Sequence, residues 1–195
     1  TFSRLNLQTK DSLSLEFNAL KIYQNLIGFH VADKNPRALV DVDLQRLHFV
    51  KNHATFNNKE ALFLQTLKNS QEKYKNNEES GLYAFEIAQI YSQQANSYTP
   101  EKNKEYRFKN KEALAICDAI IEKFPKSNGA KKCASLKAQI ENKNLQITAE
   151  RYIPINKNAR LLINYKNVEK LYFSAYKVNK TQLEKLNKKY QDTAN

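Results

Sequence analysis

The sequence predicts a mainly α-helical chain of antiparallel helical hairpins that ends in a short, incomplete antiparallel β portion. Apolar residues recur at helical spacing from residue 12 to 142, and from about residue 144 apolar and polar residues alternate. Turn formers are scarce, with 3 glycines and 4 prolines in 195 residues, whereas an all-β fold needs many tight turns. We therefore expect a helical domain at 1–142 and a partial β domain at 143–195.

Apolar stripes at helical spacing mark the successive helices. They lie at 15–27, 39–50, 61–74, 83–91, 113–121 and 130–140. Pro36 marks the start of the second helix, and Phe124-Pro125 ends the fifth, because proline cannot continue a helix and disfavours it in the preceding residue. Ser127 is expected to cap the sixth helix. Short connections between the helices predict antiparallel hairpins.

The alternating pattern predicts three strands, at 145–149, 161–165 and 171–175. A short basic, amphipathic helix is expected at 180–190, as an insertion between strands and not as a membrane anchor. Three strands and one short helix are too few for a closed sheet domain. We therefore interpret this part as the beginning of a larger domain. The absence of methionine and the start at Thr1 also lead us to expect a piece of a longer protein.

Glycine spacing excludes several enzyme classes. Gly28, Gly81 and Gly129 lie about fifty residues apart, so the chain has no P-loop, no dinucleotide-binding fingerprint and no nucleophile elbow. No segment approaches the roughly 18 apolar residues of a membrane span. We expect no membrane insertion by this segment.

The net charge of +12 is typical of proteins that bind nucleic acids or anionic membranes. Only 6 of the 32 cations are arginine, the residue that dominates base contacts, and asparagine is also abundant. We therefore interpret the lysines as a solvated surface and expect no nucleic-acid partner. A nucleic-acid module would instead show affinity for polyanions that falls steeply with salt.

The segment 83–125 resembles a tetratricopeptide-type (TPR-like) helix pair. Such repeats place small residues where two helices touch and end the second helix with proline. Ala88 precedes Tyr91 by three residues, and Ala113 precedes Pro125 by twelve, which matches that spacing. An insertion at about 96–110 departs from the pattern. An ordinary helix hairpin with small residues at its contact is the alternative.

A second likeness covers residues 20–178. Its segments, in chain order, are 23–30 (YQNLIGFH), 38–47 (ALVDVDLQRL), 113–117 (ALAIC), 124–130 (FPKSNGA), Cys133, 165–168 (YKNV) and 171–173 (LYF). This ordered set resembles the N-terminal helical region of bacterial α2-macroglobulin-like proteins, running into their first macroglobulin domain. The β portion would then be part of a macroglobulin-type sandwich.

The resemblance implies what the parent protein does. That family consists of large exported proteins, often lipid-anchored, in the periplasm or at the cell surface, and its members are thought to trap attacking proteases after cleavage of a bait segment. Many use a thioester formed from Cys-x-x-Gln or Cys-x-x-Glu-Gln-type motifs. Here Cys117 is followed by Asp-Ala-Ile and Cys133 by Ala-Ser-Leu, so neither motif is present. The reactive centre and the bait would lie elsewhere in the parent.

The two cysteines are candidates for a disulfide. Cys117 and Cys133 each lie eight residues from Pro125, on the two helices that flank the turn. In an antiparallel hairpin such positions face each other, and packed helices lie about 8–10 Å apart. Facing Cα atoms can then come within the roughly 4.4–6.8 Å that a disulfide needs. The alternative is two buried thiols that serve as small core residues. The exported location that the resemblance implies favours the disulfide.

No catalytic, cofactor-binding or metal-binding residue is predicted. His30, His48 and His53 lack the spacing of three or four that a metal pair on one helix needs, so we interpret them as structural or surface residues. Asp41 and Asp43 point to different faces of a helix, and Asp43 can pair with Arg46 on the surface. Core packing is expected to account for most of the aromatic residues.

We expect a non-enzymatic structural and interaction segment of an α2-macroglobulin-like protease trap, without cofactors. Its partners would be the rest of the parent protein and, through the parent, attacking proteases. The rival hypothesis is a stand-alone TPR-like adaptor that binds a peptide or a protein with its concave helical face. The strands distinguish the two, because an adaptor has no use for an unfinished sheet.

Overall fold

The computed structural model describes residues 2–11, 13–150, 152–154, 156–174 and 176–185. Within them, the helical part consists of α1 (Leu15–His30), α2 (Arg37–His53), α3 (Lys59–Lys73), α4 (Ser80–Asn96), α5 (Lys109–Lys123) and α6 (Asn128–Glu141), with 3-10 turns at Phe2–Arg4 and Lys104–Tyr106. The antiparallel strands β1 (Asn144–Ala149) and β2 (Leu161–Lys166) follow. The predicted fold class, mainly helical with a short antiparallel β portion, is confirmed. Contacts divide the chain into two units, 1–141 and 142–195.

Local signals set the ends of these helices as predicted. Pro36 directly precedes α2, and α5 ends at Lys123, with Phe124 as its C-cap before Pro125. The hydroxyl of Ser127 accepts the backbone N–H of Ala130 at 3.0 Å, which satisfies a free donor in the first turn of α6. Ser14 caps α1 in the same way, through the N–H of Phe17.

The hydrophobic core of the helical unit lies around α4, which packs against α3, α5 and α6. The largest fully buried side chains come from five of the helices. They are Tyr83, Leu67, Ile87, Val40, Cys117, Cys133 and Ser80. Since apolar area removed from water stabilises a fold by roughly 25 cal/mol per Å², this cluster holds the helices together.

Helices α4 and α6 touch through their backbones. Each runs antiparallel to α5, so the two are parallel, and each has a glycine at its second position, Gly81 and Gly129. A Cβ on Gly129 would lie 2.6 Å from the Cα of Gly81, and a Cβ on Gly81 would lie 3.2 Å from the Cα of Gly129. Only residues without a side chain permit this approach.

The burial of aromatic and α1 residues departs from the prediction. Phe63, Tyr83 and Tyr91 lie in the core as expected. The prediction of core packing is wrong for other aromatic residues, whose side chains are exposed. These are Phe29, Phe56, Phe108, Tyr152, Tyr165, Tyr172, Phe173 and Tyr176. On α1, Ile22 is also exposed, because this first helix packs mainly on α2 and leaves its other side uncovered.

The β unit is an antiparallel pair with one apolar face. Directly opposed residues share a face, and three opposed pairs on this face are apolar. The pairs are Leu145 with Tyr165, Ile147 with Ile163, and Ala149 with Leu161. Leu145, Ile147, Leu161 and Tyr165 remain about half exposed or more.

The prediction of a third strand at 171–175 is wrong for residues 171–174. Residues 171–174 have no regular secondary structure, and Ala175 lies outside the described residues. Alternation alone does not form a strand, since a strand also needs a neighbour to accept its hydrogen bonds. The predicted terminal helix is present at 180–185, and its remainder, 186–190, lies outside the described residues.

Candidate binding groove

Helices α2, α4 and α6 run parallel and share one side of the helical unit. Toward the beginning of α2 and α4, Tyr83 contacts Asp43, and one turn further along both helices Glu86 contacts His48. The glycine contact places the starts of α4 and α6 together. The three N-terminal ends therefore lie on the same side of the unit.

A groove of about 800 Å³ follows these three helices. Its lining combines polar, charged and apolar side chains. They are Asn35, Arg37, Ala38, Asp41, Leu44, Gln45, His48, Leu82, Glu86, Asn128, Lys131 and Lys132. The cations Arg37 and Lys131 belong to the first turns of α2 and α6, where the helix dipoles add positive potential, and Lys132 directly follows. One end of the groove is therefore cationic.

The opposite end and the middle of the groove differ from this cationic end. Farther along α2 and α4, at the other end of the groove, His48 Nε2 lies 3.0 Å from Glu86 Oε2. Leu44 and Leu82 contribute apolar surface. A groove of this kind can accept a chain segment with carboxylates at one end and an apolar side chain beside them.

Glu79 is a buried carboxyl at the cationic end. Burial raises its pKa, the neighbouring Arg37 opposes that rise, and Glu78 and Asp41 add to it. The positive charge of Arg37 is therefore partly offset by the charge of Glu79. Lys131 and Lys132 are the exposed cations of this end, so they are the better candidates for contacts with an anionic ligand.

A hydrogen-bonded cluster holds α2 against α4. The Tyr83 hydroxyl donates to Asp43 Oδ2 at 2.9 Å, and Arg46 Nη2 donates to Asp43 Oδ1 at 2.7 Å. Burial raises the pKa of Tyr83, and the charge of Asp43 raises it further, so the phenol remains a donor. The predicted Asp43–Arg46 pair is confirmed, but its surface location is wrong, since the two side chains are only 21% and 14% exposed.

Tyr83 is the partner that sequence reasoning missed. It lies 40 residues from Asp43, on another helix, so no local spacing connects the two. As predicted, Asp41 points elsewhere: it accepts a hydrogen bond from Gln45 at 3.0 Å and lines the groove. The two carboxylates therefore do not converge on one site.

The three histidines occupy separate places. His30 Nδ1 lies 2.8 Å from Asp33, His48 pairs with Glu86, and the ring of His53 stacks on Phe49 with 4.3 Å between ring centres. Among the residues that the structure describes, no three histidine, cysteine or carboxylate side chains are grouped to hold a metal ion.

Cys117 and Cys133 face each other across the α5–α6 interface. Both are fully buried and present as thiols. Hydrogen bonding from Cys133 holds the pKa of Cys117 below its usual value, and the interaction with Cys117 raises the pKa of Cys133. The disulfide between them stays a prediction.

Comparison of the chain with protein-family models, with curated proteins and with solved structures finds no match. Within the described part of the chain, every helix is too short or too polar to cross a bilayer. The groove and the thiol pair are therefore interpreted from their own geometry.

Proposed function

We propose that this chain is a non-catalytic structural and interaction segment of a large exported bacterial α2-macroglobulin-like protein that traps proteases. Two features support the proposal: the ordered motifs described above, and the succession along the chain of a helical unit and a β unit with an uncovered apolar face. The second feature is the main support for the proposal. A two-stranded pair is marginally stable by itself in water, and here one face of the pair is apolar and, apart from the half-buried Ile163, exposed.

The exposed face has the character of an inner face of a β-sandwich. In such folds each strand alternates inward apolar and outward polar residues, and a second sheet covers the apolar side. On the opposite side of this pair, Asn144 lies opposite Lys166, Gln146 opposite Asn164 and Thr148 opposite Leu162, the one apolar residue of that side. The alternation thus supports a first hairpin of a macroglobulin-type domain.

In this proposal the helical unit acts mechanically. The backbone contact between α4 and α6 and the buried Tyr83–Asp43 bond restrain its helices, so it can hold the first macroglobulin domain in a defined place relative to the cell envelope. The parent would be located in the periplasm or at the cell surface, attached by a lipid. Bait and reactive centre would belong to other parts of the parent.

Hydrogen exchange on the hairpin tests the proposal. In the 195-residue chain the amides of β1 and β2 are expected to exchange fast, because among the described residues no second sheet covers them. In a chain extended through the next domain of the parent reading frame they should slow at least about tenfold, the effect of roughly 1.4 kcal/mol of added local stability.

Amides of α4 provide the control, because their protection should be equal in both chains. A reading frame without further β-rich domains, or unchanged exchange in the extended chain, would contradict the proposal. The parent should also block protease attack on a large substrate, whereas the 195-residue chain should not.

The groove favours a second candidate function, a TPR-like adaptor that binds a peptide or protein partner. Lys131 and Lys132 lie at the cationic end, and Leu82 lies beside them on α4. An extended acidic segment with an apolar side chain fits this arrangement by charge and by surface.

A charge-reversal series tests the adaptor function. A short fluorescein-labelled peptide of alternating glutamate and leucine should bind in a fluorescence anisotropy titration, and its lysine counterpart should not. Lys131→Glu combined with Lys132→Glu should weaken binding on the order of tenfold or more. Lys102→Glu, at an exposed site away from the groove, is the control and should change affinity little. Equal binding of both peptides, or an equal effect of the control, would contradict the groove as the binding site.

A further inference from the structure

The α5–α6 interface contains a pair of thiols that the proposed function does not use. Cys117 and Cys133 are each 0% exposed and belong to the same buried cluster. The two helices are antiparallel and joined by the short turn at 124–127. An ion pair beside the cysteines, Lys137 Nζ to Asp118 Oδ1 at 2.6 Å, aligns the same stretch of the two helices.

We propose that Cys117 and Cys133 are a covalent modification site, at which exchange with a small disulfide oxidant forms an intramolecular disulfide that ties α5 to α6. The placement of the two side chains carries this inference. Facing positions on packed antiparallel helices can meet the Cα separation that a disulfide needs. Since both side chains are buried in the same core cluster, at equal distances from the turn that joins their helices, the bond requires little rearrangement of the helices.

The exchange proceeds in two steps. One of the two cysteines loses its proton to the solvent and its thiolate attacks one sulfur of the oxidant, so that a mixed disulfide forms and one thiolate leaves and takes up a proton from the solvent. The other cysteine then attacks the Sγ of the first, and the second thiolate leaves with the proton of the attacking thiol. The cysteine pair loses two electrons, and the oxidant is reduced to two thiols.

In the folded chain the environments of the two thiols differ. The hydrogen bond from Cys133 lowers the pKa of Cys117 most, Lys137 lowers it further, and burial and Asp118 oppose the change. The pKa of Cys133 is raised, first by the same hydrogen bond and then by burial. The two thiols are therefore not equivalent.

Burial determines when the exchange occurs. Because neither sulfur is accessible in the folded chain, the oxidant reaches the pair only while α6 is undocked from α5. We expect chains that refold in the presence of the oxidant to be cross-linked faster than chains that are already folded.

The test uses the full 195-residue chain and glutathione disulfide as oxidant. The reduced chain is refolded with and without the oxidant, unfolded in guanidinium without reductant, treated with iodoacetamide, and weighed by mass spectrometry. The chain refolded with oxidant should carry no alkyl group and lack two hydrogens. Its unfolding equilibrium constant should fall on the order of 100-fold, because the bond restricts the unfolded segment between the cysteines, and dithiothreitol should reverse both changes.

Cys117→Ser and Cys133→Ser are matched controls, and oxidant should not stabilise either variant. If a variant fails to fold, the oxidised and reduced forms of the unaltered chain still decide the matter. Two alkylated cysteines after refolding in oxidant would overturn the proposal. So would disulfide-linked dimers in place of the intramolecular bond, or an intramolecular bond that leaves the unfolding midpoint unchanged or lowers it.

Discussion

Gly129→Ala is expected to destabilise the helical unit by about 3 to 5 kcal/mol, near the upper end for a single substitution. The added Cβ would lie 2.6 Å from the Cα of Gly81 and 2.8 Å from its carbonyl oxygen. Backbone atoms in a helix cannot turn aside as a side chain can, so α6 must move away from α4. That movement also disturbs the packing of Cys133 and Leu136, which are buried on α6. Urea unfolding followed by circular dichroism measures the loss.

Two other glycines provide graded controls for this substitution. In Gly81→Ala the nearest atom to the new Cβ is the side-chain Cγ2 of Ile120, at 2.9 Å, which can shift, so the cost should be smaller. Gly28 lies inside α1 and a Cβ there meets nothing within 4 Å. Gly28→Ala should therefore stabilise the chain by roughly 0.5–1 kcal/mol through helix propensity. Equal stabilities for the Gly28 and Gly129 variants would contradict the backbone contact.

Tyr83→Phe is expected to cost about 1.5–3 kcal/mol, the range for a hydrogen bond to a charged group. The substitution keeps the ring, which is 1% exposed, and removes the hydroxyl that donates to Asp43 Oδ2. Asp43 Oδ2 then stays partly buried but loses this hydrogen-bond donor. Because the bond joins α4 to α2, amide exchange in α2 should accelerate together with the fall in global stability.

Tyr91→Phe is the control for removal of a hydroxyl from the same helix. Tyr91 is also buried, and its ring lies against Lys68 and Lys109. Phenylalanine keeps that ring, so the change should stay within about 0.5 kcal/mol. A double-mutant cycle of Tyr83→Phe with Asp43→Asn should show coupling of at least about 0.5 kcal/mol. Additive effects in that cycle would show that the bond does not stabilise the chain.

Helix positions could be predicted because their signals are local. The 3.6-residue period, Pro36, Pro125 and the Ser127 cap each act within a few residues of the helix end that they determine. The predicted Asp43–Arg46 pair is equally local, since the two residues lie one turn apart on α2. The sequence thus predicted where each helix lies and one of the contacts along it.

The strands and the groove show where local signals stop being sufficient. Residues 171–174 alternate as 145–149 do, yet only the latter have a partner strand among the described residues. The groove depends on the parallel arrangement of α2, α4 and α6, whose residues are far apart in the chain. No periodicity within one helix reveals which other helix it will contact.

By itself, the sequence determined the helical content, the helix ends, the change to alternation near residue 144 and the lack of glycine-rich phosphate loops. Only the tertiary structure decided which apolar stripes are buried, that Gly81 and Gly129 touch, and that Tyr83 reaches Asp43. The physical reason is range: hydrogen bonding and side-chain periodicity act over a few residues, whereas burial and close packing depend on residues brought together from distant parts of the chain.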